Sequence, residues 1–211
     1  MDSFKQYMIK KTFHKAYGIN FLNDQHPDIK RLKLELETPS IHGDKIWDSC
    51  YILMDYLEKN PIEQDCHVLE VGCGWGLSGI FCAKQFSAEV SAIDADAAVF
   101  PYLHCHAKHN NVSIHTQQCL FNDISTQDLE TVDILIASDI CFWDELAEDI
   151  LNLIDRACEA GVQRIVISDP ERAPFFYIAE ECIEAFFAEV IPWQIKKPLI
   201  ASGALLIIEN A

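Results

Sequence analysis

Apolar and polar residues change their period along this chain, and each change marks an element. Around Val68, Leu69 and Val71 the run is apolar on both faces, which suits a central strand of a parallel sheet covered by helices on each side. Gly72, Gly74 and Gly76 follow directly, and an apolar helix is expected over residues 77–85. Further apolar runs predict strands at 89–93, 112–118, 132–137 and 164–168, separated by helical patterns over 97–109, 145–160 and 176–186. Two last strands, 190–195 and 204–208, lie too close in sequence for a crossover helix and are expected to pair antiparallel at a sheet edge. Such alternation implies a doubly wound α/β domain with right-handed crossovers and a ligand at the carboxyl ends of its strands.

Ahead of this region the pattern weakens. Phe4, Met8 and Phe13 read as one helical stripe over 3–17, and residues 18–27 read as a loop. Leu32, Leu34 and Leu36 alternate with Lys33, Glu35 and Glu37, the period of a half-buried strand outside the main sheet. Residues 47–59 read as a helix with Ile52, Leu53, Tyr56 and Leu57 facing inward, ended by Asn60-Pro61. The chain thus divides into an N-terminal extension of helix and strand, 1–45, and a ligand-binding domain, 46–211.

At 211 residues the chain suits one globular domain, able to bury about 70% of the surface that its unfolded form exposes. Half of its residues are hydrophobic and 23% are charged, which argues against a disordered or collagen-like chain. No apolar run reaches the ~20 residues that span a bilayer, and the opening Met-Asp-Ser-Phe-Lys-Gln-Tyr lacks an apolar export segment. A cytoplasmic protein without membrane contact is expected. Nine cysteines, an odd number with no Cys-x-x-Cys pair, point to reduced thiols.

The formal charge of −17, from 33 acidic and 16 basic residues, repels phosphate backbones and disfavours a nucleic acid partner. The same charge would attract a lysine-rich protein. In the run His104-Cys-His-Ala-Lys-His109, the first two histidines point about 200° apart on a helix, so the run reads as a solvated face. No metal is expected.

The strand, glycine turn and helix start over 66–79 make a nucleotide-binding edge, because glycines admit a sharp turn and a close ligand while the helix presents unpaired N–H groups. Gly74-Trp-Gly-Leu-Ser-Gly79 also satisfies G-x-G-x-x-G, which leaves an NAD(P)-dependent oxidoreductase open. Glu70 weighs against it: the full pattern is E-x-G-x-G-x-G, and an acid there can fix the loop or meet a cation but repels a pyrophosphate. Asp94 closes the neighbouring strand, where a carboxylate accepts both ribose hydroxyls. Asp96, two residues later, competes for that role but reads first as a helix N-cap. Glu70, Asp94 and Asp139 gather at strand ends with no Arg or Lys among them, which suits a sulfonium carrying an ammonium group. Ser78 does not complete G-x-S-x-G, so a serine hydrolase finds no support.

The glycine pattern followed by Asp94 resembles the class I S-adenosylmethionine-dependent methyltransferases. Ile46-Trp-Asp-Ser-Cys-Tyr-Ile-Leu and Ser138-Asp-Ile-Cys-Phe-Trp-Asp144 resemble the seven-strand protein-lysine methyltransferases within that class. Ile167-Ser-Asp-Pro-Glu-Arg-Ala-Pro-Phe175 is similar to the branch that includes the electron-transfer-flavoprotein β-subunit lysine methyltransferase. The resemblance implies a Rossmann-like, seven-stranded, mainly parallel sheet with an antiparallel edge strand, and S-adenosylmethionine as cofactor.

The resemblance also assigns residues. Trp47 lines the cofactor pocket, Gly72, Cys73 and Gly74 form the loop under the methionine part, and Asp94 holds the ribose. Glu70 and Gly76 complete the glycine motif. Phe121 falls where relatives place an adenine-contacting aromatic, and Ser138 at a further lining position. Asp139 is the expected catalytic residue, capturing and orienting a lysine amine. The family's Asp-x-x-Tyr reads Asp139-Ile-Cys-Phe142 here, so the lost hydroxyl admits a different acceptor. A small-molecule N- or O-methyltransferase and a non-catalytic methyltransferase-like binding domain stay open. No [Asp/Asn]-Pro-Pro-[Tyr/Phe] stands at this position, which argues against methylation of an exocyclic base nitrogen.

Overall fold

The computed structural model describes residues 12–37, 39–40 and 43–210. In chain order the elements are β1 (Phe13–Ala16), β2 (Ile19–Leu22), α1 (Pro27–Glu35), α2 (Ser49–Lys59), β3 (His67–Val71), α3 (Leu77–Gln85), β4 (Glu89–Asp94) and α4 (Phe100–Asn110). They continue with β5 (His115–Gln118), α5 (Thr126–Leu129), β6 (Ile134–Ser138), α6 (Ala147–Ala160), β7 (Arg164–Asp169), α7 (Ala173–Phe186), β8 (Glu189–Ile195) and β9 (Ala201–Glu209).

Side chains along β3 alternate between two apolar cores. Val68 joins the core shared with α2, α3 and α4, whereas Leu69 and Val71 join the one shared with α6 and α7. Both faces of the strand are therefore dry, which explains its unbroken apolar run. The sheet has seven strands in the order β5-β4-β3-β6-β7-β9-β8. Every neighbouring pair from β5 to β7 is parallel. The last strand β9 runs antiparallel to both β7 and β8, between which it lies. The sheet is the doubly wound, Rossmann-like one expected, with its order reversing at β3 and β6, where a crevice opens at the strands' carboxyl ends. Among the described residues no helix is long and apolar enough to cross a membrane.

The region before α2 departs from expectation. The proposed helical stripe over 3–17 ends in a strand, β1, and its Phe4 and Met8 lie outside the described residues. β1 and β2 form an antiparallel hairpin, joined at Tyr17 and Gly18 with φ 49° and 73°. Two consecutive left-handed residues give a turn whose twist matches that of the flanking strands.

The leucine alternation at 32–36 is likewise not a strand but α1. His26 Nδ1 accepts the amide of Asp28, and Pro27 fixes the first turn. Leu32 packs on the Trp75–Tyr102 cluster while Leu34 is 87% exposed. Leucines two apart fall on opposite sides of a helix, so the pattern fits one buried stripe and one bare position.

The histidine run is not a solvated face either. His106 is fully buried, with Nδ1 2.9 Å from the Tyr102 carbonyl and Nε2 accepting the Leu22 amide at 3.2 Å. It docks the hairpin on α4, helped by Phe21, which stacks on Tyr51 of α2 at 4.7 Å. His104 instead meets the Thr116 hydroxyl, and His109 meets Asp28.

Burial pushes the His106 pKa down to about 4, against the pull of its two backbone bonds. The unfolded chain therefore binds this proton more readily, and the stability held by the neutral ring is present above pH ~6.5 and lost as the pH falls toward 4. At about 1.4 kcal/mol per pKa unit, the loss reaches at most about 3 kcal/mol. Denaturant unfolding of the wild type between pH 7 and 4.5 is expected to show this fall. His106→Gln, which keeps one donor and one acceptor, is expected to show a flatter profile.

Candidate functional site

The loop after β3 turns through Gly72, Gly74 and Gly76, all at positive φ. At Gly76 a Cβ would run into Leu103, while at Gly74 the space beyond the backbone is open. The Cys73 amide donates to the Ile93 carbonyl at 3.0 Å, tying the loop to β4. Glu70 is 3% exposed and accepts the Gly79 amide at 3.0 Å. Burial pushes its carboxyl up to about 8, although the Gly79 and Ser78 amides pull it down. Of the two roles considered for Glu70, fixing the loop is the one that its bond displays. A carboxyl largely protonated at neutral pH also carries little charge with which to repel a phosphate.

Asp94 accepts the Gly74 amide at 2.9 Å and the Asp96 amide at 3.0 Å. The end of β4 therefore grips the glycine loop through this carboxylate. Burial raises its pKa, and the amides of Asp96 and Gly74 oppose that shift. Asp96 caps the short helical turn Ala97–Val99 through the Ala98 amide at 2.9 Å, as expected of an N-cap, and also holds the Ser40 hydroxyl at 2.9 Å.

The opposite wall begins where β6 ends at Ser138. Asp139 has φ 60° and gives its amide to the Ser168 carbonyl at 2.9 Å. That left-handed conformation, uncommon outside glycine and the Asx residues, turns the chain away from the sheet. Burial raises the Asp139 pKa, while Ser49 and Arg172 pull it down. Arg172 donates to Asp139 Oδ1 at 2.8 Å, and its Nε donates to the fully buried Asp169 at 3.0 Å. The guanidinium lies 4.1 Å from the Phe142 ring centroid, and that ring meets Trp47 edge to face at 5.3 Å. Lys45 stands 3.7 Å above Trp47.

One cavity is lined by Trp47, Glu70, Gly72, Cys73, Gly74, Gly76, Asp94, Ser138 and Asp139, so the structure brings together every expected site residue except Phe121. Phe121 lines an adjoining apolar cavity with Leu120 and Ile140, which shares Gly72, Asp94 and Asp139 with the first. The expectation that no Arg or Lys joins these acids is corrected: Lys45 lines the first cavity, and Arg172 is bonded to Asp139. Arg172 lies three residues beyond β7, so its spacing from Asp169 was readable, but its meeting with Asp139 is made only by the β6–β7 pairing. Cys50, Trp75 and Ile140 also went unread because each also packs in the apolar cores.

The sequence model of the lysine methyltransferase family matches residues 26–190. The electron transfer flavoprotein beta subunit lysine methyltransferase of Danio rerio is 26% identical over 132 residues, covering 61% of this chain and 50% of that protein. The ribosomal protein L11 methyltransferase of Dechloromonas aromatica (strain RCB) is 26% identical over 112 residues, covering 53% and 36%. The chain thus spans half or less of the length of these curated relatives. Among solved structures, precorrin-6y C5,15-methyltransferase from Geobacter metallireducens GS-15 superimposes with a TM-score of 0.61 at 12% identity, over 85% of this chain and 96% of that one.

The Glu70–Gly79 contact makes a local prediction. A Cβ at residue 79 would stand 2.6 Å from Glu70 Oε2 and 2.9 Å from Val90 Cγ1. Alanine normally stabilises a helix interior, yet Gly79→Ala is expected to cost about 1–3 kcal/mol through overpacking. Thermal unfolding checks the sign.

Proposed function

The chain belongs to the lysine methyltransferase family, and on that premise we propose that it transfers a methyl group from S-adenosylmethionine to a lysine amine of a protein. The observation that carries the reading is this family match across a cavity with a glycine turn and Asp94 on one side and Asp139 on the other. The cavity also fits the cofactor chemically. Among the described residues the lining holds one cation, Lys45, which stands over Trp47, and the nearby Arg172 is bonded to two carboxylates, so no pair of described cations faces a pyrophosphate. That weighs against a dinucleotide.

In this reading Asp94 holds the ribose, and Gly72, Cys73 and Gly74 pass under the methionine part beside Gly76. Phe121 faces the adenine, and Trp47 and Ser138 line the remaining wall. Glu70 acts through the loop that it fixes. When bound, S-adenosylmethionine supplies an electrophilic methyl group on a cationic sulfur, so the protein's main task is to hold a neutral nucleophile in line.

A lysine, with an ordinary pKa of ~10.4, arrives protonated. Asp139 receives and orients it, but a bare carboxylate would also stabilise the ammonium form. Arg172 on Asp139 Oδ1 offsets that charge, and desolvation between Trp47 and Phe142 favours the neutral amine. The proton passes to water.

Both curated relatives are named for protein substrates, and the net charge of −17 suits a lysine-bearing partner. One observation favours a second reading, a small-molecule N- or O-methyltransferase: Phe142 stands where the family pattern has a tyrosine, removing a hydroxyl beside the acceptor.

Three measurements test this. Asp94→Ala is expected to weaken S-adenosylhomocysteine binding about tenfold or more in calorimetry, since hydrogen bonds to a charged group contribute ~1.5–3 kcal/mol; unchanged affinity would move the ribose contact elsewhere. Asp139→Ala is expected to abolish methyl transfer while leaving that affinity within a few fold. Incubating the protein with tritiated S-adenosylmethionine and a cell lysate is expected to place label in a protein band; label confined to the small-molecule fraction would select the second reading.

A further inference from the structure

Away from both cavities, two imidazoles and one carboxylate converge on the outer side of the domain. His26 stands just before α1, Asp28 lies in its first turn, and His109 lies in the last turn of α4. One ligand atom from each lies within 4.8 Å of the other two. We propose that these three residues form a binding site for a late first-row divalent metal ion, with zinc as the reference, and that the ion clamps α1 onto α4.

Two of the three distances between ligand atoms lie near what such an ion needs. Bonds of ~2.0 Å arranged tetrahedrally put ligand atoms ~3.3 Å apart. His109 Nε2 is 2.9 Å from Asp28 Oδ2, and His26 Nδ1 is 3.8 Å from the same oxygen, values that straddle the requirement. The rings meet edge to face with centroids 4.8 Å apart, so neither shields the other's nitrogen by stacking. Arg31 pairs with the other carboxylate oxygen, Oδ1, at 3.3 Å. His26 Nδ1 accepts the Asp28 amide at 3.2 Å, a long bond that a metal would replace. Two imidazoles and one carboxylate select zinc, copper, nickel or iron(II) over calcium and magnesium, which prefer oxygen. All three residues are partly exposed, leaving room for water as a fourth ligand.

The position gives the ion something to hold. Ile29 and Leu32 of α1 pack on Trp75 and Tyr102. Trp75 in turn donates its Nε1–H to the Gly43 carbonyl at 2.9 Å, and both residues line the glycine-loop cavity. An ion at His26, Asp28 and His109 would therefore steady one wall of that cavity without touching it.

The test uses the full chain without a polyhistidine tag, stripped of metal and titrated with zinc sulfate in a calorimeter. One equivalent is expected to bind, and a hundredfold excess over Kd is expected to raise the thermal midpoint by about 5 °C or more. Cobalt(II) is expected to give the visible absorption of a four-coordinate ion. His109→Ala and Asp28→Asn, checked for folding by circular dichroism, are each expected to lose about tenfold or more in affinity, whereas His104→Ala keeps it. Absence of a one-equivalent event in the wild type overturns the proposal outright and leaves His109 and Asp28 as a plain hydrogen-bonded pair. Unchanged affinity in a folded His109→Ala variant overturns it equally.

Discussion

A nearly buried carboxyl group, Glu70, accepting the Gly79 amide from the first turn of the next helix, sets the geometry on which this molecule rests. Glu70 and Gly79 hold β3 and α3 close enough that residue 79 has no room for a Cβ. A buried acid left without that donor would bear a desolvation cost of several kcal/mol, so the pair is hard to part. The five residues of the loop must then span a fixed gap. Their route is settled from the side by Asp94, which reaches from the adjoining strand to the Gly74 amide. Parallel register makes this possible: Glu70 faces Ala92, and Asp94 lies two residues further toward the carboxyl end.

The facing wall is built on opposite charge. Asp169 is wholly buried and Asp139 nearly so, and Arg172 bonds both. The guanidinium that bridges the two carboxylates lies in turn over the Phe142 ring. The acid expected to meet an acceptor is thus already partnered, and its charge is shared before any ligand arrives.

Much of this was legible in the residues because local pattern and tertiary need coincide along the sheet. β3 reads as apolar on both sides because both sides are covered, and Asp94 reads as a strand-end acid because its strand stops there. Where the two part company, the reading failed. Leu32, Leu34 and Leu36 mimic strand alternation, although Pro27-Asp28 behind His26 is a helix start. The hairpin was hidden because Phe13-His-Lys-Ala16 lacks alternation, and its docking depends on His106, 84 residues away. Arg172 could be seen beside Asp169 but not across from Asp139, since only the packing of β6 against β7 joins them.

The place of β9 has a consequence for how the chain comes into being. It follows β8 in the chain, yet it fills the slot between β7 and β8 and pairs along its length with both. The β7 edge that β9 covers is supplied with its partner only by residues 201–209, so until they are in place that edge stays open to pairing with other chains. With β9 in place, β7 is paired on both sides and the open edge on that side of the sheet belongs to β8.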